Sequence, residues 1–190
     1  MRTHVVVPAT DDAMDDEAIT GMLEAQRLIG ATACVVDTRE SHVKGHGHTL
    51  NEVLEGEPIS TGEETDAVFV ADDPIPLEKL VSALPGIIAA MHEAFDVVVV
   101  VCDPGASALI EKLAGPGAGV IINVKHNSTS ATDLVAVTTR LRVMGVRPVG
   151  VVMLHTGSRS LGSIAESWRI SDRDPAPVLA GAGGSHARSD

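Results

Sequence analysis

The chain has no tyrosine, two phenylalanines and one tryptophan, so aromatic residues fill only 2% of its 190 positions. A core without aromatics must be assembled from Val, Ile, Leu and Ala. That favours a parallel sheet covered by helices, whose strands read as unbroken aliphatic runs. Cysteine is scarce too: Cys34 and Cys102 each lie in or at the end of an aliphatic run. They read as buried free thiols of a reducing compartment rather than a disulfide. No stretch approaches the ~20 apolar residues of a membrane-spanning helix, and Val5–Val7, followed by acids, is too short for a signal h-region. The expectation is a cytoplasmic protein that does not insert into a membrane. Basic residues are outnumbered, 14 Lys and Arg against 26 Asp and Glu, for a net charge of −12, which argues against nucleic acid as a partner. The shortage is local. Residues 1–78 carry 17 acids and 4 bases, residues 79–190 carry 9 acids and 10 bases. One edge of the molecule is therefore expected to be strongly negative, either as a solvating surface or as a dock for a basic one.

What is present alternates regularly. Strands are expected at Thr3–Ala9, Ala33–Asp37, Ala67–Ala71, Asp96–Cys102 (five consecutive valines), Gly119–Val124 and Pro148–Leu154. Helical spacing of apolar residues places helices at Asp15–Ile29, Asn51–Glu55, Leu77–Glu93, Ala106–Leu113 and Ser130–Met144. The third of these should break or bend near Pro85-Gly86. Strands alternating with helices of this length give right-handed crossovers and a doubly wound, mainly parallel α/β sheet with helices on both faces. At 190 residues one domain is expected, over residues 1–156. Residues 157–171 read as a C-terminal helix, with Trp168 docking it on the body, and residues 172–190, rich in Ala, Gly, Pro and Ser, as a flexible tail.

Chemistry-bearing residues gather after the strands. Asp11, Asp12, Asp15, Asp16 and Glu17 open the first long helix. Carboxylates there cap the helix and favour the positive end of its dipole; they also suit a docking site for Lys and Arg, or an oxygen-ligand site for a divalent cation. His42, His46 and His48 lie in a Gly-containing segment after the second strand, where two imidazoles can converge on a metal, although no Cys pair accompanies them. Asp103, in Asp103-Pro104-Gly105, stands at a strand end as a turn and helix cap or as an acid. Lys125, His126 and Asn127 end another strand on the same edge, and Ser128–Ser130 supplies an N-cap for the helix that follows.

Several stretches together carry a family resemblance: Gly30–Arg39 ("GATACVVDTR"), Leu50–Glu57 ("LNEVLEGE"), His92–Gly105 ("HEAFDVVVVVCDPG") and Gly119–Leu154. Over roughly residues 3–155 their order and spacing resemble the MinD/ParA-like P-loop ATPases, and within them the cytoplasmic tyrosine kinases of capsular polysaccharide export. The resemblance implies a glycine-rich phosphate loop ending Gly-Lys-Ser/Thr after the first strand, whose amides, lysine and hydroxyl hold a triphosphate and magnesium. Here there is no glycine between Met1 and Gly21. Counting back from Gly30 and Asp37 puts Asp15 at the lysine position and Asp16 at the hydroxyl position. A unit charge at ~4 Å is worth about 4 kcal/mol at an effective dielectric of ~20, so reversing it weakens nucleotide binding by orders of magnitude. Of the family's two aspartates at the second strand, Asp37 remains and the other is Arg39. The metal-facing aspartate of the next strand falls on Val101, with Asp103 two residues later. The adenine-reading asparagine falls on Leu154 or His155, and the kinases' tyrosine-rich tail has no tyrosine here.

The combined expectation is a P-loop ATPase-like fold that has lost catalysis: an adaptor or regulatory protein of polysaccharide synthesis or export, or of MinD-like positioning. No cofactor is expected, and Asp37 and Asp103 would be remnant metal-facing acids. Its partners would be proteins, either a basic surface or the cytoplasmic segment of a membrane protein, together with a second copy of itself. The competing expectations are a divergent ATPase or tyrosine kinase using Mg-ATP, a metal-dependent hydrolase using the Asp and His cluster, and a structural assembly component.

Overall fold

The computed structural model describes residues 2–10, 13–14, 16–40, 48–59, 66–71, 73–115 and 118–154, with the side chains of residues 16, 40 and 48 left aside. The elements are β1 (Arg2–Pro8), α1 (Asp16–Leu28), β2 (Ala33–Glu40), β3 (His48–Thr49), α2 (Leu50–Leu54), β4 (Asp66–Ala71), α3 (Leu77–Met91), β5 (Val97–Val101), α4 (Ser107–Leu113), β6 (Ala118–Lys125), α5 (Ala131–Val143) and β7 (Pro148–Leu154). The expected alternation is there, with boundaries that coincide or move by up to three residues, and the two-residue β3 is added to it.

All strands pair in parallel in the order β3-β4-β2-β5-β1-β6-β7. The order explains the valines. β5 lies in the middle, between β2 and β1, and every one of its residues is buried. Successive side chains of a strand point to opposite faces, so a strand covered on both sides needs apolar residues at every position. Val98 and Val100 join a cluster on one face with Leu84 of α3, Leu109 of α4 and Leu141 of α5. Val97, Val99 and Val101 join a cluster on the other face with Ile19 and Met22 of α1. Fully burying each valine contributes about 1.5 kcal/mol or more.

Two local expectations change. β2 runs past Asp37 to Glu40, with a register shift against β4 between those residues, which carries Arg39 along the strand end. α3 is one continuous helix through Pro85. Its buried residues Leu80, Leu84, Ile88 and Met91 form a single stripe, and that packing outweighs the amide that Pro85 lacks. α5 starts as its sequence dictates: Asp133 donates its backbone N–H to Ser130 Oγ (3.2 Å), and Asp133 Oδ2 accepts from the Ser130 N–H (2.9 Å), a reciprocal cap. Residues 157–171 and 172–190 lie outside the described residues.

Candidate functional site

The first connection leaves β1 buried. Ala9 donates to the main-chain carbonyl of Asn123 (2.8 Å), and Thr10 accepts from the Ala13 N–H in a turn (2.9 Å). Ala13 and Met14 are then drawn back beneath the sheet edge and buried. Two side chains hold them there. Asn123, fully buried on β6, donates its Nδ2 to the carbonyl of Ala13 and lies 3.2 Å from Met14 Sδ. Arg39 donates its Nη2 to the carbonyl of Met14 (3.0 Å). The carbonyl oxygens of this turn therefore face the interior and accept hydrogen bonds from a buried amide and a guanidinium.

Arg39 is fixed in turn by Asp37. Its Nε donates to Asp37 Oδ1 (2.9 Å) and its Nη2 to Oδ2 (2.7 Å), a bidentate pair, and the Arg39 backbone N–H adds a third bond to Oδ1 (3.1 Å). Asp37 is fully buried and the Arg39 side chain is 16% exposed. Burying a carboxylate is costly unless it is paired and hydrogen-bonded, so Asp37 is committed to Arg39. Beside the pair, Thr38 donates its hydroxyl to the carbonyl of Val101 (2.8 Å), locking the ends of β2 and β5 together. Val101 itself is buried in the α1-side cluster.

The other residues singled out by sequence divide as follows. Asp11, Asp12, Asp15, His42 and His46 lie outside the described residues. Asp16 begins α1 and His48 begins β3, and neither side chain is described. Glu17 is exposed in the first turn of α1. Asp103 is exposed and turned on its own loop: its carboxylate accepts from the Gly105 N–H and its carbonyl from the Ala106 N–H (2.9 Å). It makes the turn but does not cap α4, whose N-cap is Ala106. Asp37 and Asp103 thus both have local partners, and the structure does not bring them together as a pair of free acids. Lys125 donates its N–H to Thr129 Oγ1 (2.9 Å), and Asn127 adopts φ 67°, the left-handed conformation that asparagine tolerates in a tight turn. Thr129 Oγ1 also lies 3.3 Å from Thr10 Oγ1, tying this loop to the first connection. Among the described residues, no three His, Cys, Asp or Glu side chains converge on a metal position. Cys34 and Cys102 are free, and burial pushes each thiol up to about 12, which leaves both protonated and unreactive.

Sequence reasoning missed Met14 and Asn123, and took Arg39 only as a lost carboxylate. A signal existed for Asn123: it is the one amide in the aliphatic run of Val120–Val124, and a buried amide must find a partner.

No protein-family model and no curated protein matches the chain. Solved structures do. The tyrosine kinase domain of BceF is 17% identical with a TM-score of 0.66, the match covering 82% of this chain and 69% of that one. The kinase domain of Escherichia coli tyrosine kinase ETK is 15% identical with a TM-score of 0.63, covering 84% and 70%. The septum site-determining protein MinD of Pyrococcus horikoshii OT3, complexed with Mg-ADP, is 16% identical with a TM-score of 0.56, covering 87% and 76%. The chain has the fold of the MinD/ParA-like P-loop ATPases.

Proposed function

We propose that the chain is a non-catalytic member of this fold group, an adaptor or regulatory protein in which the nucleotide site has become a structural lock. The observation that carries the reading is the orientation of the turn after β1. A triphosphate requires inward amides and a free cation. At Ala13 and Met14 the inward groups are carbonyl oxygens, already bonded to Asn123 and Arg39. The cation beside them, Arg39, is neutralised by Asp37. An oxyanion placed there would meet oxygen lone pairs, and clearing the turn would leave Asp37 buried without a counter-charge. Mg-ATP does not fit these residues.

A fold freed from nucleotide chemistry retains surfaces for association. The excess of acids over residues 1–78 supports a basic partner, either a protein surface or the cytoplasmic segment of a membrane protein, and self-association follows the same logic. The likeness to polysaccharide-export kinase domains and to MinD supports a place in cell-envelope polysaccharide export or in a positioning system. The test is an assay of nucleotide turnover on the full chain: phosphate release from Mg-ATP should not exceed that of buffer, and no radiolabelled nucleotide should be retained on gel filtration. Turnover abolished by Asp37→Asn would overturn the reading.

A further inference from the structure

α2 and α3 lie on the same face of the sheet and leave a groove of about 590 Å³ between them. Val53 of α2 and Ile59 beyond it line one side, and Ala83, Gly86, Ile87 and Ala90 of α3 line the other. Val53, Ile59 and Ile87 pack against the main core cluster, which fixes both walls. Ala83, Gly86 and Ala90 fall at i, i+3 and i+7, a stripe of small residues two turns long. Glycine inside a helix costs about 1 kcal/mol relative to alanine, yet a Cβ at Gly86 would meet nothing within 4 Å. Packing among the described residues therefore does not call for glycine at that position; its effect is to keep the groove deep. The charged residues of the lining are Glu57 and Glu93, both exposed and both acidic. Neither is in an ion pair among the described residues. Glu52 of α2 and its C-cap Glu55 add two more exposed acids beside the groove.

We propose that this groove docks an amphipathic helix of a basic partner protein, with an apolar ridge along Ala83, Gly86 and Ala90 and Lys or Arg side chains paired with Glu57 and Glu93. The inference rests on the basic-partner reading above and names the surface that reading requires. Shape is the first argument. Small side chains let another helix approach α3 closely. Gly86 and Ala90 are exposed, so the groove is open along its α3 wall. That suits a helix laid into it better than a small ligand, most of whose surface a pocket must bury. Charge is the second. An apolar channel whose charged groups are all carboxylates fits an occupant that is apolar along its centre and cationic at its margins. The adjoining connection has the wrong chemistry for that role: residues 60–65, Ser-Thr-Gly-Glu-Glu-Thr, contain no aliphatic or aromatic residue and bring two further acids.

The probe is a fluorescein-labelled synthetic helix of about 14 residues, four turns, with Leu and Ala at i, i+3, i+4 and i+7 and lysines flanking that face. Titrated with the full chain at low salt and followed by anisotropy, it should bind saturably. Glu57→Lys combined with Glu93→Lys should weaken binding about tenfold. Gly86→Leu, which fills the groove from a position with open space, should weaken it at least as much. Glu17→Lys, on α1 across the sheet, should leave it unchanged. A peptide of the same composition with its apolar residues scattered round the helix should bind about tenfold more weakly. Equal binding of the scattered peptide would mean diffuse charge attraction and would overturn the docking site. Weakening by Glu17→Lys but not by the groove variants would overturn it too, while leaving the basic-partner reading in place. Failure of every lysine peptide to bind would overturn both. A dimer of the full chain that Gly86→Leu splits on gel filtration would assign the groove to a second copy and sink the proposal. Should Gly86→Leu lose its far-ultraviolet circular dichroism, the charge reversals at exposed Glu57 and Glu93 decide.

Discussion

At the scale of single residues the molecule turns on Arg39. Its guanidinium neutralises a carboxylate with no access to water and holds the carbonyl of Met14. Removing one partner of a buried pair strands the other, at a cost of about 3–5 kcal/mol. Arg39→Ala should therefore lower the urea midpoint by the equivalent of about 3 kcal/mol, toward the lower bound because the arginine keeps some contact with solvent. Asp37→Asn combined with Arg39→Ala should recover part of the loss. Asn123→Ala removes the donor to Ala13, and an unsatisfied buried carbonyl costs about 1–3 kcal/mol. Since both side chains grip the same two-residue turn, the double variant should deviate from additivity, as a double-mutant cycle would measure. Acid sensitivity also has residue-level causes. Burial, and then the charge of Arg2, hold the His4 imidazole below its ordinary 6.5. Hydrogen bonds from Thr32 hold Asp96 below 3.8, and those from Ser130 do the same for Asp133. In all three cases the unfolded chain binds protons first, so stability is lost as pH falls. The His4 contribution starts to go at 6.5 and is gone below its lowered native value, and the Asp contributions start to go near 3.8. His4→Gln should remove the first phase, visible as a smaller difference between denaturant midpoints at about pH 7.5 and about pH 5.5.

At the scale of elements, helix ends and helix packing can be separated. Ser130→Ala removes one half of the reciprocal cap of α5 and should cost about 1 kcal/mol in chemical denaturation. Pro85 sits within an intact α3, where it cannot donate to the carbonyl of Val81; Pro85→Ala should stabilise the chain by about 1 kcal/mol or more, with Leu84 and Ile88 still buried. These two sites also show what was legible in the sequence. Ser130 and Asp133 announce their helix start because capping is local chemistry written over four residues. The break expected near Pro85 did not follow, because the stripe Leu80, Leu84, Ile88 and Met91 is held by tertiary contacts that no local rule weighs. The aliphatic strands were legible because burial on both faces demands it at every position. The two-residue β3 was not, since its pairing with β4 is its only distinguishing feature. The site was read in part. The absence of glycine before Gly21 was plain, but the inward turn of Ala13 and Met14 depends on Asn123 and Arg39, 110 and 25 residues away. Such pairings belong to the fold.

At the scale of the whole molecule, the chain combines a MinD/ParA-like sheet with a first connection in which the carbonyls of Ala13 and Met14 are held by Asn123 and Arg39. Its uneven charge places the acids in the first part of the sequence, where a basic partner would find them, and salt should weaken any such association. A titration calorimeter tests the central claim most directly. Mg-ATP added to the full chain should give no saturable heat up to ~1 mM, corresponding to binding weaker than about −4 kcal/mol. A saturable isotherm in the micromolar range, lost on removing magnesium, would show that the turn between β1 and α1 opens to receive phosphates, and would contradict the account.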